Sequence, residues 1–157
     1  MKHLYLNIYN NLVKLTRNKL LYNKTSCEDT FSTRLLIFLF HFFFFLGIYK
    51  STSNKKKIQK IYDFIFKQIE LSIREIGYGD VVVNKKMKTY INMFYLILEK
   101  TDKWDVTKHD GKSYYLSFFF GKGTDINYFI SYFDKYRLFL LNNTLNYFAK
   151  DVLSFKF

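Results

Sequence analysis

Apolar residues recur along most of the chain at the spacing of amphipathic α-helices. Residues 4–21 place leucines and isoleucines near helical spacing, with lysines between them. The isoleucine-rich segment 58–76 repeats at i, i+3, i+4 and i+7, and a further apolar stripe runs from residue 87 to about 103. A last long pattern covers residues 126–148. Each pattern predicts a helix that buries one face.

The stretch RLLIFLFHFFFFLGIYK, residues 34–50, is apolar on all sides. Its central part, residues 35–49, contains no charge and one polar residue of note, His41. A membrane-spanning helix needs about 20 apolar residues, with a range of roughly 17–25, so this run is short for a span. All-round apolar character fits a central helix enclosed by other helices. We predict a buried core helix, with an interfacial or re-entrant membrane segment as the alternative.

The segments between these patterns are polar and predict turns. GYGD, residues 77–80, separates two helices: Gly77 suits a left-handed helix end and Asp80 suits a helix cap. The short run YYLSFFF, residues 114–120, is left open because periodicity does not settle its state. Proline is absent, glycine occurs 6 times, and no segment sustains strand alternation. The expected fold is all-α, a single compact domain over residues 1–157 with about five to seven helices.

Charge is distributed unevenly along the chain. The net charge is +12, and residues 1–62 carry 11 Lys or Arg against 2 acidic residues. A basic half-chain indicates an anionic partner such as phospholipid, RNA or an acidic protein face, with solvated lysines as the alternative. The 22% aromatic content accompanies abundant Lys and Asn, a bias typical of AT-rich coding. Aromatic content therefore says little about base stacking.

No residue pattern predicts catalysis or a bound metal or cofactor. His41 has no His or Glu at ligand spacing, and an ordinary packed, hydrogen-bonded histidine is the simplest interpretation. Glu70 and Arg74 are four residues apart, as in a helix ion pair. Cys27 is alone, so no disulfide framework forms within the chain. GKGTD, residues 121–125, lacks the spacing of a phosphate loop and reads as a turn. The sequence therefore predicts no enzyme.

Two motifs, in the same order along the chain as in the family, resemble the ubiquinol–cytochrome c chaperone family. The downstream motif is REIGYGDVVVNKKMKTYINMFY, residues 74–95, and the upstream motif is LVKLTRNKLLYNKTSCEDTFSTRLLIFLFH, residues 12–41. The upstream match places a tyrosine before Asp-Thr-aromatic, then an arginine and an apolar helix with a histidine: Tyr22, Asp29, Thr30, Phe31, Arg34 and His41. The chain departs from the family where KTSC, residues 24–27, lacks a proline and where the apolar helix ends without arginines.

The resemblance implies an all-helical helper that binds newly made cytochrome b and supports assembly of ubiquinol–cytochrome c reductase. It also implies that the apolar helix belongs to a domain rather than to a membrane span. The partner that the resemblance implies is cytochrome b. A small helper subunit, the ribosome and an anionic membrane surface are further candidate partners. An apolar groove with polar edges suits such a client. The residues expected to shape this site or touch a partner are Arg34, His41, Arg74, Gly77, Gly79, Asp80, Lys85 and Lys86.

Each of these residues also has an ordinary structural interpretation. Asp80 is a helix-cap candidate, Arg34 and Arg74 are candidates for ion pairs, and Lys85 and Lys86 are candidates for solvated charges. Two other functions stay open: a basic RNA- or ribosome-binding helical module, and an interaction protein anchored at a membrane surface by the apolar stretch. The first residues show no secretory or transit signal. This favours the bacterial cytoplasm, peripheral to the inner membrane, or the matrix side in a mitochondrion.

Overall fold

A computed structural model describes residues 1–157 and contains eight α-helices and no β-strand. Six helices have between 12 and 22 residues, and the other two have 6 each. The all-α prediction is confirmed, and the six longer helices fall within the predicted number. The helices are α1 (Lys2–Thr16), α2 (Lys19–Lys24), α3 (Phe31–Tyr49), α4 (Lys55–Glu75), α5 (Asp80–Thr101), α6 (His109–Phe120), α7 (Ile126–Asn142) and α8 (Leu145–Lys150).

Two of the predicted helices are each divided in two. The 4–21 pattern breaks after Thr16 and resumes in α2, where the Asn18 side chain accepts a hydrogen bond from the Leu20 amide. The 126–148 pattern breaks in the same way before α8, where the Thr144 hydroxyl accepts from the Tyr147 amide. Asn and Thr are strong helix caps, and each starts a new helix inside a continuous apolar pattern. The undecided run 114–120 is helical and forms the end of α6.

The apolar stretch forms the central helix α3. Every residue from Leu35 to Leu46 is buried. α3 packs on α1, α5 and α7, and its phenylalanine rings also contact rings of α4, α6 and α8. By length and composition alone α3 is a candidate membrane span, yet 72% of its most apolar window is buried inside the protein. The prediction of a buried core helix is confirmed.

The N-terminal end of α3 gathers the residues that matter for the candidate site. The start of α3 lies beside the ends of α1 and α4, because Thr16, Arg34 and Ser72 line one cleft. The hydroxyls of Ser32 and Tyr90 lie 3.4 Å apart, which places α5 beside the same end. The α4–α5 turn follows directly from the end of α4 at this side of the bundle.

Candidate binding surfaces

An ion-paired arginine joins the last turn of α4 to the first turn of α5. The Arg74 guanidinium donates from Nε and Nη2 to Glu70 Oε1 at 3.2 and 3.1 Å, and from Nη1 to Asp80. The hydrogen bond that Arg74 donates to Asp80, and then those it donates to Glu70, raise the pKa of Arg74. Hydrogen bonds from Lys67 and then Arg74 lower the pKa of Glu70. The ion-pair interpretation of Arg74 is confirmed, and the pair with Asp80 bridges the two helices across their turn, but it contributes little to stability because the Asp80 side chain is 81% exposed.

The expectation that Asp80 caps α5 is wrong. Gly79 occupies the cap position with φ −75°, and Asp80 is the first helical residue, without a side-chain capping bond. The Asp80 carboxylate instead turns back towards Arg74. It still lies in the first turn of α5, where negative charge is favoured by the helix dipole.

The turn between α4 and α5 depends on one glycine conformation. Gly77 has φ +107°, a backbone conformation that residues with a Cβ rarely adopt. Gly79 has an ordinary negative φ. Of the two glycines expected to shape the site, only Gly77 therefore needs to be glycine for conformational reasons.

Apolar side chains around this turn face solvent. Ile76 is 52% exposed, Tyr78 41%, Val81 82% and Val82 42%, and we call these four residues the apolar turn. The Lys86 ammonium lies 4.7 Å from the centre of the Tyr78 ring, a cation–π contact. Lys85 next to it is exposed and makes no ion pair. A cluster of exposed apolar residues edged by charge is typical of a site for protein or membrane interaction.

A cleft of about 510 Å³ opens between α1, α3 and α4. We call it the basic cleft, because its edge carries Arg17, Lys19 and Arg34 against the single acidic residue Asp29. Its floor is formed by apolar side chains: Val13, Phe31, Leu35, Phe38 and Ile69. The cleft therefore combines an apolar interior with a net positive edge.

Arg34 and Asp29 form a bidentate ion pair at the edge of the basic cleft. Arg34 Nε donates to Asp29 Oδ1 at 2.7 Å and Nη2 donates to Oδ2 at 3.1 Å. This hydrogen bonding lowers the pKa of Asp29. Both side chains are more than half exposed, so the pair contributes little to stability. The ion-pair interpretation of Arg34 is confirmed. Arg17 and Lys19, at the same edge of the cleft, have no acidic partner.

His41 lies in the core, away from both surfaces. Its ring is completely buried, with Nδ1 2.8 Å from the Ile37 carbonyl oxygen and Nε2 2.6 Å from the Tyr132 hydroxyl. The carbonyl accepts only, so Nδ1 carries the proton and Nε2 accepts from Tyr132. Burial lowers the pKa of His41 to about 4. The packed, hydrogen-bonded interpretation is confirmed.

The structure thus divides the eight candidate residues among three places. Six belong to the α4–α5 turn and the start of α5: Arg74, Gly77, Gly79, Asp80, Lys85 and Lys86. Arg34 lines the basic cleft and His41 is in the core. Sequence reasoning missed Arg17, Lys19 and the exposed valines of the apolar turn. The three consecutive valines were a usable signal, since a helix cannot bury three successive residues on one face.

The fold is that of an all-helical protein with an exposed apolar turn and a basic cleft on its surface. A sequence model of the ubiquinol–cytochrome C chaperone family matches residues 23–112. This is more than half of the chain, and the chain belongs to that family. The matched range contains the α4–α5 turn and the α3 and α4 sides of the basic cleft, whereas α1 lies outside it.

A solved structure shares the fold. The crystal structure of the Cbp3 homolog from Brucella abortus is similar, with a TM-score of 0.74 and 23% sequence identity. The similarity covers 94% of this chain and 86% of that chain. Comparison with curated protein sequences gives no match. Membership in the family identifies the chain as an assembly chaperone for ubiquinol–cytochrome c reductase.

Proposed function

We propose that this chaperone acts by binding newly made cytochrome b before it joins the reductase, and that it does so without catalysing a reaction. The observation that carries the proposal is the apolar turn, where Val81 is 82% exposed at the start of a well-packed helix. Cytochrome b is a multi-helix membrane protein, so its unassembled segments expose apolar surface. A chaperone that shields such a segment needs an exposed apolar surface of its own with polar edges.

The apolar turn is held in a fixed shape without burying its apolar side chains. Arg74 ties α4 to α5, and Gly77 supplies the backbone conformation that the reversal requires. Val83 behind the turn is fully buried and anchors the start of α5 in the core. A preformed surface loses less conformational entropy on binding than a flexible one. In this proposal the client binds to a rigid apolar turn, and Lys85 and Lys86 lie at the edge of that turn.

The proposed location is the cytoplasmic face of the inner membrane in a bacterium, or the matrix face in a mitochondrion. The client is inserted into that membrane, and the basic first part of the chain suits an anionic surface. A small helper subunit and the translating ribosome are further proposed partners at this location.

The test compares Val81→Asp with the matched control Val106→Asp. Val106 is 75% exposed in the segment after α5, so both substitutions place a carboxylate on the surface and leave the core intact. Burying one valine on binding contributes about 1.5–3 kcal/mol, so Val81→Asp should weaken client binding by roughly 10- to 100-fold or more. The readouts are site-specific photo-crosslinking from position 81 to newly made cytochrome b, and reduced-minus-oxidised spectra of membranes.

We expect a chain whose only change is a photo-reactive residue at position 81 to crosslink to newly made cytochrome b, and we expect a strain that carries Val81→Asp to lose the b-type cytochrome signal of the reductase. A strain with Val106→Asp should keep that signal. A normal spectrum with Val81→Asp, together with no crosslink from position 81, would overturn the assignment of the turn. An unchanged spectrum in a strain that lacks the protein altogether would overturn the chaperone role.

A further inference from the structure

The edge of the basic cleft carries two basic residues in addition to the Arg34–Asp29 ion pair. Arg34 is satisfied by Asp29 at 2.7 and 3.1 Å, whereas Arg17 and Lys19 have no acidic partner. Both unpaired residues are exposed and stand at the break between α1 and α2, beside the opening of an apolar cavity. Charge complementarity therefore selects an anionic group at the edge with an apolar extension that enters the cleft.

The volume of the cleft limits the size of the apolar part of this ligand. Its volume of about 510 Å³ lies within the range of small-molecule sites, which is about 300–1,000 Å³. One turn of an α-helix with its side chains, about 11 Å across and 5.4 Å long, fills roughly 500 Å³. A cleft of this volume encloses about one turn of a helix, whereas a flexible alkyl chain can lie in it along its length.

We propose that the basic cleft binds one anionic phospholipid of the bilayer, with an acyl chain in the cleft and the phosphate held by Arg17 and Lys19. Leu20, next to Lys19, is 49% exposed and would enter the headgroup region beside the bound lipid. Lys24, at the end of the same short helix, is paired with Asp125 at 3.6 Å, so the unpaired charge at this edge is that of Arg17 and Lys19. The cleft thus fixes which side of the chaperone faces the membrane, and this inference is independent of the client that the apolar turn binds.

The charge requirement is tested with two charge-matched double variants. Arg17→Glu/Lys19→Glu reverses the edge of the cleft, and Lys55→Glu/Lys56→Glu makes the same change in net charge at the start of α4. Position 55 is 17 residues from Ser72, which lines the cleft on the same helix, a distance of about 25 Å. Binding is measured by co-sedimentation with phosphatidylcholine vesicles that contain no or about 30% phosphatidylglycerol.

The chain requirement is tested with Val13→Trp, which fills the cleft and keeps every charge. The probes in calorimetry are dioctanoyl phosphatidylglycerol and, to separate a phospholipid from a free fatty acid, laurate, each below its micelle concentration. Circular dichroism and thermal melts establish that each variant folds. If Val13→Trp does not fold, brominated acyl chains and a tryptophan in place of Ser72 provide a quenching measurement of chain depth in the cleft.

We expect the native chain to bind vesicles with phosphatidylglycerol and the soluble lipid. Reversal at residues 17 and 19 should weaken vesicle binding about 30-fold or more, since two basic contacts are lost. Lys55→Glu/Lys56→Glu should stay within a few-fold of native, and Val13→Trp should abolish binding of the soluble lipid. Equal losses in the two charge variants, soluble-lipid binding by Val13→Trp, or laurate binding as tight as the phospholipid would each overturn the proposal.

Discussion

The buried histidine makes a measurable contribution to the pH dependence of stability. His41 lies among aromatic rings of α7, with the rings of Tyr132, Phe133 and Tyr136 at 5.0 to 5.6 Å. Its protonated form would place a full charge in this apolar environment, which is why burial lowers the pKa of His41 from 6.5 to about 4. The hydrogen bond to the Ile37 carbonyl opposes this effect and is the smaller influence.

The sign of the effect follows from proton binding in the two states. Below pH 6.5 the unfolded chain takes up a proton at His41, whereas the folded chain takes one up only near pH 4. The contribution is therefore fully present above pH 6.5 and is lost as the pH falls towards 4. At 1.36 kcal/mol for each pKa unit, the free energy of unfolding should decrease by about 3 kcal/mol over this interval.

The assay is urea unfolding followed by circular dichroism, for the native chain and for His41→Gln, from about pH 7 to about pH 4.5. The glutamine variant should be less stable at neutral pH, and its free energy of unfolding should fall less steeply below pH 6.5. The ion-paired carboxylates Asp29 and Glu70 contribute equally to both proteins and cancel in the comparison. Parallel pH profiles for the two proteins would refute the assignment of a neutral, buried His41.

Three further substitutions test the core and the turn, each by urea unfolding. Tyr132→Phe removes the hydroxyl that donates to His41 Nε2 and should cost about 1–3 kcal/mol, whereas a smaller loss would mean that water replaces the hydroxyl. Gly77→Ala places a Cβ at φ +107° and should cost about 1 kcal/mol or more, and a neutral result would contradict the described turn. Phe133→Ala, in a fully buried ring cluster, should cost about 3–5 kcal/mol, against little change for Leu138→Ala, which is 55% exposed.

Apolar periodicity was enough to predict α4, α5 and α7 and the central place of α3, whereas it left the apolar run of α6 undecided. It was not enough to predict where two of the helices break. At Asn18 and Thr144 one side-chain oxygen accepts a backbone N–H of the next helix and starts that helix inside a continuous apolar pattern. The apolar side chains on both sides of each break still reach the core. The apolar pattern therefore continues through each break, so the pattern does not show where the helix breaks.

The candidate surfaces were predicted in part, for a related reason. The family motif led to the α4–α5 turn, and the four-residue spacing of Glu70 and Arg74 predicted their ion pair. The bond from Arg74 to Asp80 crosses the turn and depends on the reversal at Gly77, so no helical spacing indicates it. The basic cleft is lined by α1, α2, α3 and α4 together with the segment before α3. A gap left between separate helices is determined by their packing and has no local sequence pattern.

The exposed valines of the apolar turn stand out because neither packing in the core nor the composition of the chain accounts for them. α3 is as apolar as a membrane helix since protein surrounds it on all sides, and its composition follows from the fold. Val81, 82% exposed, buries almost nothing in the core, so stability does not require an apolar residue there. The coding bias that enriches Phe, Tyr, Lys and Asn does not enrich valine, which occurs only six times in the chain, three of them at 81–83. The two exposed valines, which neither folding nor coding bias accounts for, are therefore the observation that supports the proposed binding role of this surface.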